Sequence, residues 1–193
     1  LSLHDALPIS YLWLDATYLD VRHRGRVASQ ALVVATGVSG EGRREILGMA
    51  LGDAETTDFW TEFLRSLRDR GLKVATDADP LGVTLVTSDA HSGLVAAIGA
   101  TLPGASWQRC RTHYAVNLMS ITPKSSWPWV RTMLHSIYDQ PDAEAVHAQF
   151  DRVIHALHEK LPAVAEHLEI ARADILAFTP FPKEVWRQIW SNN

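Results

Sequence analysis

Between Tyr11 and Leu51 the chain presents three runs rich in apolar, β-branched and aromatic residues, separated only by short glycine-bearing stretches. The first, Tyr11-Leu12-Trp13-Leu14, meets Asp15 and continues as Ala16-Thr17-Tyr18-Leu19. The second, Ser29 to Thr36, is almost continuously apolar, and the third covers Arg44 to Leu51. Arg22–Arg26, with Gly25, reads as a tight turn, and Gly37–Gly42 as another glycine-rich turn. Strand-like runs joined this closely predict an antiparallel meander. The unbroken apolarity of the second predicts a strand covered on both faces.

Helical spacing follows. Phe59, Trp60, Phe63, Leu64 and Leu67 predict a helix over Thr57–Arg70, with Gly71 as its stop. Val83–Thr87 reads as a short buried strand ending at Ser88-Asp89. Gly93–Leu102 reads as a helix, Ala105–Gln108 as a fifth strand and Arg111–Met119 as a further helix. After Pro123 only helical patterns remain, over Trp129–Tyr138, Ala143–Leu161 and Ala163–Ala177. Phe181-Pro182 breaks them, and Trp186, Ile189 and Trp190 then form an apolar ridge.

The order β-β-β-α-β-α-β-α defines an α/β chain with a mixed sheet and flanking helices, followed by an all-helical tract. An RNase H-like core has that order. The expected divisions are a terminal arm or artefact at 1–10, an RNase H-like core at 11–120, a helical insertion at 121–180 and the start of a further helical region at 181–193. A single cysteine among 193 residues excludes a disulfide framework. No apolar run approaches the roughly 18 residues of a membrane span, and no signal peptide is recognisable, so a soluble cytoplasmic protein without a membrane partner is expected.

The net charge of −4 argues against bulk attraction to nucleic acid, but it hides a pattern. Residues 90–138 carry no acid and four bases, Arg109, Arg111, Lys124 and Arg131, whereas the segments on either side are each net −4. An anionic ligand meets least repulsion in this middle stretch.

Two aspartates stand out by position. Asp15 interrupts an apolar strand, and Asp89 sits at the carboxyl end of another, where α/β sheets place ligands. A carboxylate in such a strand is costly unless paired, hydrogen-bonded or bound to a cation. Two of them on neighbouring strands repel, and a divalent ion such as Mg²⁺ removes the repulsion. That arrangement serves metal-assisted phosphodiester chemistry. The alternatives are an edge-strand Asp15 and an Asp89 that caps a helix. Cys110 and His113 form a C-x-x-H at a helix start. A zinc site needs more ligands, a nucleophile needs an orienting third group, and a buried structural cysteine beside a hydrogen-bonding histidine is the plainer reading.

The runs LDATYLDVRHRGRV, ALVVATGVSGEGRREILGM, DFWTEFLRSLRDRGL, GVTLVTSDAHSGLVAAI, LPGASWQRCRTHYAVNL and FPKEVWRQIWSNN together resemble the catalytic domain of mutator-type bacterial insertion-sequence transposases of the DDE class. The resemblance runs from Tyr11 to Asn193 and is weaker between Ser120 and Phe178. It implies that Asp15 and Asp89 are the first two catalytic, metal-holding acids, that Mg²⁺ or Mn²⁺ is the cofactor, and that Cys110 and His113 are a characteristic structural pair. It implies DNA, both transposon ends and target, as partner, with Arg109, Arg111, Lys124 and Arg131 as contact candidates, and a homo-oligomer as the working state. The family's third acid is a Glu beyond the IWSNN-type motif, and Glu184 precedes that motif. The expectation is therefore a transposase fragment carrying out little or no strand transfer by itself. The rival expectations are a standalone metal-dependent nuclease, which needs a third carboxylate beside Asp15, with Asp20 nearest in sequence but on the opposite strand face, and a non-catalytic DNA- or subunit-binding remnant using the Trp186/Trp190 ridge as an interface.

Overall fold

The computed structural model describes residues 9–23, 25–39 and 43–192. The chain divides into two compact units, one running to Trp107 and including Asn192, the other spanning Gln108–Ser191.

The first unit is built on a mixed sheet. β1 (Ile9–His23), β2 (Arg26–Ser39) and β3 (Arg44–Gly52) form the antiparallel meander, and β4 (Leu85–Ser88) pairs parallel to β1. With β5 (Ser106–Arg109) the strand order is β3-β2-β1-β4-β5. This is the α/β mixed sheet that the element order predicts. β1 begins two residues earlier than the apolar run suggests: Ile9 is buried, and the Ser10 carbonyl accepts from the Thr84 N–H at 2.9 Å. Only residues 1–8 of the expected terminal arm therefore remain, and they lie outside the described residues. At the β1–β2 turn Gly25 adopts φ 78°, a left-handed conformation that glycine takes without a Cβ penalty. Between Ala35 and Thr36 the β2–β3 register slips by one, so that Leu47 is the extra residue, and its side chain is buried.

Two helices cover one face of this sheet. α1 (Thr57–Asp69) starts at Thr56, whose hydroxyl accepts from the Phe59 N–H at 3.2 Å. It buries Trp60, Phe63, Leu64 and Leu67. α2 (Ser92–Thr101) buries Leu94, Ala97 and Ile98. These side chains meet Leu12, Leu14, Val33, Ala35 and Val86 from the strands in a single apolar cluster. Each fully buried aliphatic or aromatic side chain contributes about 1.5–3 kcal/mol.

The second unit is helical, with α3 (Arg111–Ser120), α4 (Trp127–Tyr138), α5 (Ala143–Lys160), α6 (Pro162–Ile170), α7 (Arg172–Ile175) and α8 (Trp186–Ile189). Its boundary falls at 107/108, not at 120, and Gln108 explains why. This fully buried amide donates to the Ile175 carbonyl at 3.1 Å and to the Arg109 carbonyl at 2.7 Å, and accepts from the Phe178 N–H at 2.9 Å. The chain from Gln108 onward is thereby tied to the helices. The single helix expected over Ala163–Ala177 is two. It begins at Pro162, which suits a first-turn position, and breaks at Ala171. The break lets Ile175 and Leu176 bury while Arg172 closes on Glu169 at 2.9 Å and on Asp151 at 2.6 Å. The Trp186/Trp190 ridge is not an exposed interface. Both indoles are buried against Phe178, with ring centroids 5.0 and 5.5 Å away, and Trp190 also meets Tyr138 at 5.6 Å. This edge-to-face packing satisfies the apolar surface inside the unit.

Candidate metal centre on adjacent strands

The register between β1 and β4 is the central geometric fact. Tyr11 lies opposite Leu85, Leu12 opposite Val86 and Trp13 opposite Thr87. The pairing stops there: β4 ends at Ser88, and Asp89 follows it, two positions beyond the last pair, as Asp15 lies two positions beyond Trp13. Neighbouring strands lie about 4.8 Å apart, and in-register residues of parallel strands project to the same face. Leu12, Leu14 and Val86 point into the apolar cluster. By the two-residue pleat, Asp15, in the middle of β1, lies on the face opposite Leu12 and Leu14, and Asp89 follows the carboxyl end of the neighbouring β4.

Local hydrogen bonds set each carboxylate. Asp15 is half-buried, and its Oδ1 accepts from Asn192 Nδ2 at 3.1 Å. The same amide nitrogen donates to the Leu14 carbonyl at 3.2 Å. Asp89, also half-buried, accepts from the Ala90 N–H through Oδ1 at 2.7 Å. It is not the cap of α2, where His91 occupies that position without a side-chain bond. Ser88, just before it, is buried, donates to the Asp89 carbonyl at 2.8 Å, and accepts from Trp107 Nε1 at 2.9 Å. That indole fixes the end of β4 and the direction in which the chain leaves it.

These residues suit a hard divalent cation. Mg²⁺ is commonly held by one or two carboxylates, waters and substrate phosphate oxygens, without an all-protein cage. Among the described residues, the hydrogen bonds to these two aspartates engage Oδ1 of each. Asn192 Oδ1, on the amide that bonds Asp15, is a buried oxygen with no hydrogen-bond partner among the described residues. A buried acceptor left in that state costs about 1–3 kcal/mol unless a donor from outside the described residues reaches it. Among the described residues no third His, Cys, Asp or Glu joins the pair. The standalone nuclease therefore lacks the third carboxylate it requires there. Asp20 pairs opposite Ser29 in an unbroken stretch of register, which keeps it on the other face from Asp15.

The C-x-x-H pair lies in the second unit. Cys110 is fully buried just ahead of α3, and its thiol shares a hydrogen bond with the Ser191 hydroxyl at 3.3 Å. Ser191 also bonds Thr112 Oγ1 at 2.9 Å, and the Arg111 N–H donates to the Trp190 carbonyl at 2.8 Å. The recorded bonds thus make the start of α3 a clamp on residues 190–191. His113 is half-buried, and its Nδ1 has no partner among the described residues.

The four basic residues divide by environment. The Arg109 guanidinium lies 4.8 Å from the Tyr114 ring centre, and Arg111 lies 4.5 Å from that of Trp190 and 5.2 Å from that of Tyr138. Both are half-buried and engaged with aromatic faces. Lys124 and Arg131 are exposed. Around Arg109, burial and the neighbouring Tyr138 push the Tyr114 hydroxyl far above the usual phenol range, against the opposing pull of Arg109. Burial, and then the Arg109 charge, lower the His167 imidazole.

The sequence model of the family described as "Transposase, Mutator family" matches residues 2–193. The transposase for insertion sequence element IS1081 of Mycobacterium tuberculosis is 64% identical over 189 residues, covering 98% of this chain and 44% of that protein. The transposase for ISRM5 of Rhizobium meliloti is 35% identical over 186 residues, covering 96% and 45%. That of IS256 in transposon Tn4001 of Staphylococcus aureus is 35% identical over 145 residues, covering 75% and 35%. A chain of the cryo-EM structure of the simian T-cell lymphotropic virus intasome in complex with PP2A regulatory subunit B56 gamma matches 77% of this chain and 49% of its own, at 12% identity and a TM-score of 0.36, too distant a likeness to inform the reading. The chain belongs to the mutator family of transposases. It spans less than half the length of these three relatives. No described helix is long and apolar enough to cross a membrane.

Proposed function

We propose that this chain is the catalytic core segment of a DDE-type DNA transposase, with Asp15 and Asp89 as the two acids that seat Mg²⁺ or Mn²⁺ against a DNA phosphate. The observation that supports the reading is the parallel β1/β4 pairing up to Trp13–Thr87, an offset that, extended by two residues, would bring Asp15 level with Asp89. Bound there, the divalent ions would lower the pKa of the attacking water or 3′-hydroxyl and stabilise the leaving oxygen. The chain's own residues do the rest. Asp15 and Asp89 would offer their Oδ2 atoms to the ion, while the Ala90 N–H and the Asn192 amide hold the other oxygens. The Trp107–Ser88 bond keeps the end of β4 from drifting. In-line attack by water and then by the freed 3′-hydroxyl needs no covalent protein–DNA intermediate, so no side chain is assigned as nucleophile.

DNA is the proposed partner, in a homo-oligomeric assembly. Lys124 and Arg131, exposed and within the acid-free stretch 90–138, are the proposed backbone contacts; Arg109 and Arg111 serve first to pack aromatic rings. Because no group of three or more His, Cys, Asp or Glu forms among the described residues, the 193-residue chain by itself is expected to bind the ion without completing strand transfer.

The test grafts residues 9–192 in place of the matching segment of the Mycobacterium tuberculosis relative and measures transposition in cells. The chimera is expected to transpose, and Asp15→Ala or Asp89→Ala to reduce it to background while DNA binding persists. Transposition surviving either substitution would remove these residues from the chemistry.

A further inference from the structure

We propose that Asn192 is a positioning residue of the cation site, fixing the Asp15 carboxylate with its amide nitrogen and offering its amide oxygen to the ion's hydration shell. This rests on the reading of Asp15 and Asp89 given above.

The orientation of the amide follows from its neighbours. Its nitrogen donates to the Leu14 carbonyl oxygen at 3.2 Å and to Asp15 Oδ1 at 3.1 Å. Both are acceptors only, so an amide flipped to present its oxygen there would face two lone pairs and lose both bonds. The nitrogen is therefore the inward atom. Leu14 lies one residue past Trp13, the last residue of β1 that pairs with β4. Its carbonyl takes its bond from Asn192. One NH₂ group thus grips the backbone of β1 and the carboxylate of the next residue, which sets the Asp15 rotamer and leaves Oδ2 for a ligand.

The oxygen of the same amide gives an independent indication. Asn192 Oδ1 is buried, yet no described N–H or O–H reaches it. Attached to the same carbon as a nitrogen bonded to Asp15, it lies beside the carboxylate, where a cation's water ligands would sit. A metal-bound water is a strong, polarised donor, and the groups that orient metal ligands from the next shell out commonly use this kind of contact. The arrangement explains why an amide occupies this place. A carboxylate here would have no proton to give Asp15 or the Leu14 carbonyl and would repel Asp15 before any ion arrived. An aliphatic side chain would release Asp15 to rotate.

The test uses the 193-residue chain and two probes, Mn²⁺ and Mg²⁺. Mn²⁺ affinity is measured by electron paramagnetic resonance for the wild type, Asp15→Asn, Asp89→Asn and Asn192→Ala. In parallel, Mg²⁺ is titrated into the ¹⁵N-labelled wild type while the Asn192 side-chain amide signals are followed, a readout that does not depend on whether Asn192→Ala folds. The expected result is a site lost in both aspartate variants, weakened about 10- to 100-fold in Asn192→Ala, with Asn192 amide signals that move on Mg²⁺ addition in the wild type and stay fixed in Asp89→Asn. If both aspartate variants lose the ion while Asn192→Ala keeps wild-type affinity and the amide signals do not move, the role of Asn192 falls and the two-acid site stands. If the wild type binds neither ion, both readings fall.

Discussion

Gly82 stands at the entry to β4, and replacing it with alanine tests whether the placement of that strand depends on a close approach of two backbones. A Cβ at this position would lie 2.6 Å from the Val74 carbonyl carbon, 2.7 Å from the Ala75 nitrogen and 2.9 Å from the Lys73 oxygen. All three are main-chain atoms, so no side chain can swing aside. Gly82 is not among the glycines with positive φ, so the cost is steric and not conformational. Ordinary contact begins near 3.4 Å. The segment 73–75 must therefore retreat by several tenths of an ångström, and it is held by two bonds next to the glycine: Val83 N–H to the Lys73 carbonyl at 2.9 Å and Ala75 N–H to the Val83 carbonyl at 3.1 Å. Stretching both past bonding range forfeits about 0.5–1.5 kcal/mol each. The total of about 1–3 kcal/mol matches the usual cost of overpacking. In a chain of this size that lowers the melting temperature by about 2–12 °C. The assay is thermal unfolding followed by circular dichroism, with Gly99→Ala as the counterpart. Gly99 lies within α2 with nothing within 4 Å of its Cβ position, so alanine there should stabilise by about 0.5–1 kcal/mol. A Gly82→Ala protein that melts at or above the wild-type temperature would refute the argument.

Gln108→Leu removes a buried amide and strands the Ile175 carbonyl and the Phe178 N–H. A loss of about 1–3 kcal/mol for each stranded group is expected in urea unfolding. Thr56→Ala deletes the cap of α1 and should cost about 1 kcal/mol by the same measurement. The His167 imidazole, lowered by burial and then by Arg109, binds its proton less readily folded than unfolded. Its contribution to stability is present above the unfolded value of 6.5 and is lost as pH falls through the folded one. Melting curves from about pH 7.5 down to pH 5 should show the wild type losing more stability than His167→Gln; parallel losses would contradict the assignment.

Much of the first unit is legible in the sequence because its signals are local. The spacing of Trp60, Phe63, Leu64 and Leu67 marks α1 to within a residue, and the β-rich runs with Gly25 between the first two mark the meander. The acids Asp15 and Asp89 are conspicuous because a charge inside or at the end of an apolar strand needs a reason. What would bring them together is not local. The pairing of Tyr11 with Leu85 is decided by how the whole sheet closes, and no periodicity in either strand states it. Gln108 is equally silent, since a lone glutamine becomes a structural tie only when three backbone groups converge on it. The expectation of an exposed tryptophan ridge failed for a related reason: helical spacing shows that Trp186 and Trp190 share a face, but not that Phe178 and Tyr138 cover it. Asn192 carried no signal beyond its place in the closing motif. Its two hydrogen bonds and its orphaned oxygen exist only in three dimensions.

The offset of 74 positions between the paired residues of β1 and β4 also bears on the birth of the molecule. At about 5–20 residues per second, a ribosome that has just added Asp15 needs about 4–15 s to reach Asp89. Throughout that interval the emerging polypeptide holds one acid without its neighbour. Whatever the two carboxylates accomplish jointly is withheld from every nascent chain until the later strand has been made and docked.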